Sequence, residues 1–209
     1  MPKKEAPIET LQDYLPPGTY EPVLNYLREH HVHLTVARER KSILGDYRHR
    51  THHTNHRISV NGNLNTYSFL ITLLHELAHL LTFEQFGNKV LAHGKEWKQV
   101  YSKMLAQFLQ HKVFPADIEA ELMISLRNPA ASTCAEDSLL KVLRRYDTTP
   151  NGHRLVEELP AGALFRTSDG RVFQRNEKLR KRYKCVEVNT GKVYLFSPVY
   201  EVEEVKIQK

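Results

Sequence analysis

The amino-acid sequence has few of the residues that define several protein classes. Its 209 residues include two cysteines, Cys134 and Cys185, which are too few for a disulfide scaffold or a four-cysteine zinc site. The 10 prolines and 9 glycines are scattered, which excludes a collagenous or low-complexity chain. Because paired cysteines are typical of oxidising compartments, their scarcity predicts a cytoplasmic protein with two ordinary thiols.

Long hydrophobic segments are also missing. The longest apolar run, from Phe69 to Phe83, is too short to cross a bilayer and is interrupted by two histidines and one glutamate. The first residues carry charge, but no apolar stretch follows them. We therefore predict neither an export signal nor a membrane partner.

The sequence does contain the balance of residues expected of a basic globular protein. Apolar residues make up 41% and charged residues 26%, and the length suits one domain with a small appendage. The net charge of +6 is compatible with nucleic acid or another anionic partner. Twelve histidines are many for this length, and their positions carry most of the functional information.

The residue pattern predicts an α+β fold for residues 15–150, followed by a small all-β module at residues 151–209. Helical spacing predicts five helices, and alternating β-rich runs predict three strands in a small antiparallel sheet. The predicted helices are 19–30, 66–86, 94–110, 115–126 and 135–146, and the strands are 33–38, 44–48 and 57–61. Turn residues at 147–152 predict the boundary, after which short strands are expected at 163–166, 171–174, 183–188 and 193–196.

Residues 75–79 read His-Glu-Leu-Ala-His, an H-E-x-x-H motif in the most apolar predicted helix. Residues i and i+4 lie on the same helical face, so the imidazoles of His75 and His79 can reach one zinc ion. Zinc lowers the pKa of a bound water to about 7 and so makes it a nucleophile at neutral pH. Glu76 can take a proton from that water and return it to the leaving amine, as a general base does. The alternative is that these polar side chains are only hydrogen-bonded inside a buried helix.

A catalytic zinc ion needs a third protein ligand and an open fourth position. The position six residues after His79, where a metzincin has a histidine, is Gln85, which excludes that class. His93 and Glu96 both follow the predicted helix end at Gly87, and either could return to the metal.

The order of these motifs resembles that of the SprT-like family of zinc metalloproteases. The resemblance rests on four segments, 44–48, 57–61, 75–79 and 93–97, the last of which reads His-Gly-Lys-Glu-Trp. It implies a zincin-like domain with one zinc ion per chain, held by His75, His79 and His93, and Glu76 as the catalytic glutamate. The family includes a eukaryotic protease that degrades proteins crosslinked to DNA, and bacterial members whose role is poorly defined.

The C-terminal module departs from the pattern of many bacterial members, which carry a zinc ribbon with paired cysteines. Here Cys185 stands alone, because Val188 occupies the position that would complete a C-x-x-C pair. We therefore expect a ribbon-like β module without its metal.

The same module contains a strongly basic stretch. Residues 166–192 include nine lysines or arginines and three acidic residues. Phe173, Tyr183 and Tyr194 are interleaved with them, a combination that suits phosphate contacts and base stacking in nucleic-acid binding. The alternative is a solvated hairpin whose aromatic residues form its own core. The candidate nucleic-acid-binding residues are Arg171, Arg175, Lys178, Arg180, Lys181, Arg182 and Lys184.

Other histidines lie outside the motif. A cluster between the second and third predicted strands comprises His49, His52, His53 and His56. These residues occupy no predicted helix or strand, so we expect a solvated loop, with a second metal site as the alternative.

Together these features predict a zinc-dependent metallopeptidase acting on protein or peptide substrates, with DNA-associated proteins among them. We expect the strand at 57–61 to be an edge strand that holds an extended substrate. Tyr47, Tyr67 and Tyr101 are open as oxyanion stabilisers. Two other functions stay open: a zinc-stabilised nucleic-acid-binding or adaptor protein without peptidase activity, and hydrolysis of a non-peptide bond by the same chemistry.

Overall fold

A computed structural model describes residues 8–40, 43–126, 137–147 and 153–205. The chain divides into two compact units, residues 1–147 and 148–209. The turn-rich segment predicted as the boundary starts at Asp147, and its remainder lies outside the described residues, as do Cys134 and the first two residues of the predicted helix at 135–146.

The first unit contains five α-helices and three strands within the described residues, which confirms the predicted α+β class. A 3-10 turn at Ile8–Tyr14 precedes them, and a second one at Gly87–Lys89 follows the longest helix. The elements are α1 (Tyr20–Glu29), β1 (Val32–Ala37), β2 (Gly45–Arg48), β3 (His56–Asn61), α2 (Thr66–Phe86), α3 (Lys95–Gln110), α4 (Ala116–Ser125) and α5 (Asp137–Arg144).

Helix α2 forms the centre of the first unit, and both of its ends have a clear physical cause. At the N-terminus, the Asn65 side chain accepts a hydrogen bond from the Ser68 N–H at 2.9 Å. At the C-terminus, Gly87 has a φ of +62° and donates its N–H to the Phe83 carbonyl. Between these caps most of the helix is buried on all sides, so it behaves as a core element rather than as an amphipathic surface helix.

The sheet of the first unit has the order β1-β3-β2. Strand β2 runs antiparallel to β3, whereas β1 runs parallel to it, so the sheet is mixed rather than purely antiparallel. The prediction that residues 57–61 form an edge strand is wrong, because β3 is the central strand. The side chains of Ile58 and Val60 are buried in the core, which suits a strand covered on both edges. The edge strand beside α2 is β2.

The second unit is a six-stranded antiparallel sheet with the order β4-β9-β5-β6-β7-β8. The C-terminal region is therefore all-β, as predicted, but larger than the expected ribbon. Its strands are β4 (Arg154–Leu155), β5 (Leu164–Arg166), β6 (Val172–Leu179), β7 (Arg182–Glu187), β8 (Val193–Phe196) and β9 (Glu201–Val205).

Strands β4 and β9 were not predicted, and the two have different reasons. Strand β4 has only two residues. Strand β9 reads Glu-Val-Glu-Glu-Val, and acidic residues are normally depleted in strands. Two ion pairs bring these acids beside cations of neighbouring strands, from Arg154 to Glu204 at 2.7 Å and from Arg166 to Glu203 at 3.4 Å. Charge pairing across strands therefore stabilises a strand that local propensity disfavours.

Aromatic residues fill the core of this second unit. Phe165 and Phe173 are fully buried and lie 5.6 Å apart between ring centroids. Cys185 is buried beside them, and burial raises the pKa of its thiol to about 11. Across the described parts of both units, no helix is long and apolar enough to cross a membrane.

Candidate metal centre

Three histidine side chains meet at one point in the first unit. His75 and His79 lie one turn apart on α2, as the i, i+4 spacing predicts, and their Nε2 atoms are 3.2 Å apart. His93 comes from the loop between α2 and α3, and its Nε2 atom lies 3.2 Å from that of His75. The chain reverses after Gly87, which is what returns His93 to the helix. Glu96, the alternative third ligand, is not part of this group.

The spacing of the three nitrogen atoms fits a single metal ion. Ligand nitrogens held tetrahedrally at about 2.0–2.1 Å from zinc lie about 3.3 Å from one another. Burial lowers the pKa of His75 to about 3 and that of His79 to about 4, and it also lowers the pKa of His93. All three imidazoles are therefore neutral and present lone pairs, as metal binding requires. Within the described residues, this is the one group of at least three His, Cys, Asp or Glu side chains that could hold a metal ion.

Trp97 on α3 supports the three histidines from behind. Its indole ring is fully buried and lies 4.7 Å from the ring centroids of His75 and His93, and 5.2 Å from that of His79. The Tyr101 ring stacks on the Trp97 ring, with centroids 5.1 Å apart. A rigid aromatic wall of this kind limits how far the imidazoles can rotate. In the sequence, Trp97 carries a signal only as the last residue of the His-Gly-Lys-Glu-Trp segment.

Glu76 is buried beside the histidines, against the backbone of β2. A Cβ atom built on Gly45 would lie only 2.6 Å from the Glu76 Oε1 atom, so the carboxyl group occupies space that any other residue at position 45 would fill. Burial and the nearby negative charge of Asp46 raise the pKa of Glu76 to about 8, while Arg40 opposes this rise. Glycine inside a strand often marks such a close approach, so the sequence held a signal at Gly45 that none of the predictions includes.

The histidines and Glu76 lie in a cleft of about 680 Å³. One side of the cleft consists of β2 with the residues before it, Ile43–Tyr47, and the other consists of the loop Gly87–His93. The Asn61 N–H donates to the Leu44 carbonyl, and Gly45 and Tyr47 pair in register with Val60 and Ile58. Because hydrogen-bonded pairs alternate along an antiparallel ladder, the N–H and C=O groups of Gly45 and Tyr47 point away from β3, towards the open edge.

Of the three candidate oxyanion stabilisers, Tyr47 lines this cleft. Its ring is nearly parallel to that of His79, with centroids 6.4 Å apart. Its hydroxyl group lies 2.9 Å from His56 Nδ1, which also accepts the Arg50 N–H at 3.3 Å. Since that nitrogen is an acceptor, the Tyr47 hydroxyl donates its proton to it. Burial, with the nearby charge of Glu84, raises the pKa of Tyr47, so the hydroxyl stays protonated.

The other two tyrosines do not line the cleft. Tyr67 packs against Phe114 and Tyr146, with ring centroids 6.3 and 5.0 Å away. Tyr101 is buried, and its ring contacts those of Trp97 and His75, with centroids 5.1 and 5.8 Å away. Tyr47 is therefore the one of the three candidates that lies on the open side of the metal centre.

The histidine cluster between β2 and β3 divides into two kinds of residue. His52 and His53 are exposed in a turn, as expected of a solvated loop. His56 is instead 1% exposed at the start of β3, with its Nε2 atom 3.5 Å from a Glu84 oxygen, so the prediction is wrong for this residue. His49 stacks on Phe83, with ring centroids 4.6 Å apart, and lines the cleft. The four residues do not form a metal-binding group.

The basic residues of the second unit lie mainly on β6, β7 and the turn between them. The predicted base stacking does not fit Phe173, which is fully buried, or Tyr183, which is 7% exposed. The Arg175 guanidinium lies 4.2 Å from the Tyr183 ring centroid, and Lys178 lies 5.5 Å from it. These two aromatic residues belong to the core, and cations cover Tyr183 from outside. Arg180, Lys181 and Arg182 are exposed around the hairpin turn.

The fold and the histidine triad define a candidate metal centre on an H-E-x-x-H helix, and the comparisons with known proteins agree with this class. The model of the SprT-like family matches residues 19–120, which include the sheet, α2, α3 and all three histidines. The predicted resemblance is thereby confirmed, and residues 19–120 form a SprT-like region.

A curated relative is Protein SprT of Glaesserella parasuis serovar 5 (strain SH0165). It is 58% identical to this chain over 31 residues, which are 15% of this chain and 19% of that protein. The aligned segment thus spans about a fifth of the relative's length. No solved structure matches the chain.

Proposed function

We propose that this protein is a zinc-dependent peptidase. The observation that carries the proposal is the meeting of three neutral histidine Nε2 atoms beside a buried glutamate on the floor of an open cleft. Imidazole nitrogens suit zinc, and three protein ligands leave one tetrahedral position for water or substrate. The SprT-like match over residues 19–120 supports the same reading.

The residues of the site would have two separate roles in catalysis, metal binding and proton transfer. His75, His79 and His93 would hold the zinc ion, which when bound supplies a Lewis acid that polarises a carbonyl group and lowers the pKa of water. Without a metal ion the raised pKa of Glu76 keeps its carboxyl group protonated at neutral pH, but the positive charge of a bound zinc ion would ionise it. Glu76 would then accept a proton from the attacking water and return it to the nitrogen of the leaving amine. The close contact between its carboxyl group and Gly45 restricts where this transfer takes place.

The substrate would lie along β2 rather than along β3, because β2 is at the edge of the sheet. The main-chain groups of Gly45 and Tyr47 that point away from β3 can pair with an extended peptide. Such pairing would carry the peptide through the cleft and past Glu76. A bond that is not part of an extended backbone would make no use of this edge, which favours a peptide over a non-peptide substrate.

The exposed β6–β7 hairpin supports a second proposal, that the protein binds DNA through phosphate contacts. Its turn carries Arg180, Lys181 and Arg182 in succession. Because Phe173 and Tyr183 are buried and the half-buried Tyr194 packs against Phe173, we propose charge-based binding without base stacking. The peptidase would then act on proteins attached to DNA, with the hairpin localising it.

The peptidase proposal is tested by metal analysis and cleavage assays on the full chain. We expect one zinc ion per chain, cleavage of casein by the wild type, and cleavage reduced at least a thousandfold in Glu76→Gln while its zinc content is unchanged. A protein with one zinc ion and no cleavage of casein or of a DNA-bound protein would instead favour the adaptor function. A protein without any zinc would overturn the mechanism.

The DNA proposal is tested by charge reversal at the turn. The double variant Lys181→Glu, Arg182→Glu should bind duplex DNA at least tenfold more weakly at low salt, with a shallower dependence on salt concentration. The double variant Arg57→Glu, Lys103→Glu, at exposed positions on β3 and α3, changes the net charge by the same amount and is the matched control, which should retain most of the affinity. Equal losses in both variants would mean that net charge, rather than the hairpin, attracts DNA.

A further inference from the structure

We infer that the cleft selects substrates with a bulky apolar side chain next to the hydrolysed bond, and that Leu91 and Ile43 determine this specificity. The inference rests on the proposed peptidase function and adds a substrate class to it. It comes from the contrast between the cleft's polar floor and its apolar sides.

The floor of the cleft carries the chemistry. His75, Glu76, His79 and His93 line it. The Nε2 atoms of the three histidines lie together at a spacing that suits a metal ion, and Glu76 is held against Gly45, so these groups offer little to a substrate side chain. Discrimination between substrate side chains must therefore come from the sides of the cleft.

The first side is the loop that ends at the metal ligand His93. Val90, Leu91 and Ala92 precede this histidine directly, and all three line the cleft. The Leu91 side chain is 80% exposed. Single exposed leucines are common on protein surfaces, but three successive apolar residues beside a metal ligand form a continuous apolar lip.

The opposite side begins just before the edge strand β2. Ile43 is 43% exposed and lines the same cleft, and Leu44 follows it. Gly45 comes next, and the place of a side chain there is filled by Glu76 and Thr72, so position 45 sends no side chain into the cleft between Ile43 and the Val90–Ala92 lip. An extended substrate paired with β2 presents alternate side chains to the same face, and one of them would enter this space.

The chemistry of the two lips defines the occupant. A leucine, isoleucine, phenylalanine or methionine side chain would cover the exposed surfaces of Leu91 and Ile43 at once, which is favourable because apolar area leaves water on both partners. A charged side chain would lose hydration against Leu91 and Ile43, and Asp46, the carboxylate on the Ile43 side of the cleft, is already paired with Arg48 at 2.9 Å. Glycine or alanine would leave the lips exposed.

The test is a cleavage profile on a peptide library in which the residues flanking the cleaved bond are varied, read by mass spectrometry with zinc-loaded protein. We expect the wild type to favour bulky apolar residues at one flanking position. Leu91→Ser should lower kcat/KM at least tenfold for those peptides, chiefly through KM, and leave peptides with alanine there almost unchanged. Ile124→Ser is the matched control, since Ile124 is 66% exposed on α4 and lies outside the cleft.

Binding to zinc-loaded Glu76→Gln, measured by fluorescence anisotropy with the same peptides, separates this inference from the proposed function. Apolar peptides that bind but are never cleaved by the wild type would overturn the peptidase and keep the apolar specificity. Cleavage without an apolar preference, or an equal loss on all peptides in Leu91→Ser, would overturn the specificity and keep the peptidase. Neither binding nor cleavage would overturn both.

Discussion

The two units of this protein treat their ionisable residues in opposite ways. The first unit buries His75 and Glu76 in its most apolar helix, where burial lowers the pKa of His75 to about 3 and raises that of Glu76 to about 8. The second unit keeps the cations of its hairpin turn, Arg180 and Lys181, exposed. Burial of an ionisable group costs free energy unless a hydrogen bond, an opposite charge or a metal ion compensates it. An exposed cation is instead solvated by water and paired with nearby anions. Burial of charge is thus the more informative sign of a functional site.

The largest effect in a test of this comparison is expected when one polar side chain is removed from the core of each unit. His75→Ala should weaken zinc binding more than a hundredfold, because it deletes one of three nitrogen donors. Cys185→Ala in the second unit should leave zinc affinity unchanged, since the raised pKa of this buried thiol makes it a poor ligand. Competition with a chromophoric chelator measures both variants. Similar losses in the two would mean that the metal is not held by the triad.

The next test compares the two aromatic cores. Trp97→Ala and Phe173→Ala should each cost about 3–5 kcal/mol of unfolding free energy, because each removes a fully buried ring. Region-resolved hydrogen exchange should place the first loss in residues 8–147 and the second in residues 153–205. Trp97→Ala should in addition lower zinc affinity about tenfold, as loss of a supporting neighbour does. A zinc defect of the same size in Phe173→Ala would break the distinction between the units.

A smaller effect is expected from two glycine substitutions. Gly45→Ala places a Cβ atom against the Glu76 carboxyl group, which should cost about 1–3 kcal/mol and lower kcat about tenfold with little change in KM. Gly170→Ala in the second unit meets no neighbour but has a φ of +87°, so it should cost about 1–2 kcal/mol and leave activity intact. Thermal unfolding measures the loss of stability, and peptidase assays measure kcat and KM. An unchanged kcat in Gly45→Ala would show that the close contact with Gly45 does not position Glu76.

The smallest expected effect concerns an exposed acid of the second unit. Hydrogen bonds from Thr167 and Arg171 lower the pKa of Asp169 to about 2 from its usual 3.8. A depressed carboxyl pKa stabilises the folded state above the unfolded value and loses this contribution as the pH falls towards the folded value. Asp169→Asn should therefore lower Tm slightly at pH 7, and the difference from wild type should shrink below about pH 4. A constant difference across this range would mean that the charge is not responsible.

The local pattern was sufficient to predict the helices and most of the strands. Helix α2 has the predicted bounds of 66–86, because an apolar run between Asn65 and Gly87 leaves little choice of start and end. The i, i+4 spacing likewise places His75 and His79 together in any helix that contains them. Residues with weak or conflicting local signals were missed, as in the acidic strand β9.

The position of an element among its neighbours was not predictable in the same way. Strand β3 has the alternation of a half-buried strand, and this pattern does not distinguish a central strand from an edge strand. The aromatic residues beside the basic stretch raised the same difficulty, because interleaving in sequence does not say which face of a strand is covered. The position of β3 in its sheet and the burial of these aromatic residues both depend on contacts between residues far apart in the chain.

By itself, the sequence determined the α+β class, the helix that carries the H-E-x-x-H motif, and the resemblance to the SprT-like family. These depend on spacing within one element and on the order of short motifs, both of which are local. Only the tertiary structure decided that His93 rather than Glu96 joins the histidine pair, that Gly45 makes room for Glu76, and that β2 is the edge strand beside them. Each of these depends on how the chain returns to itself after a turn, and such long-range packing is set by the whole core rather than by any single segment.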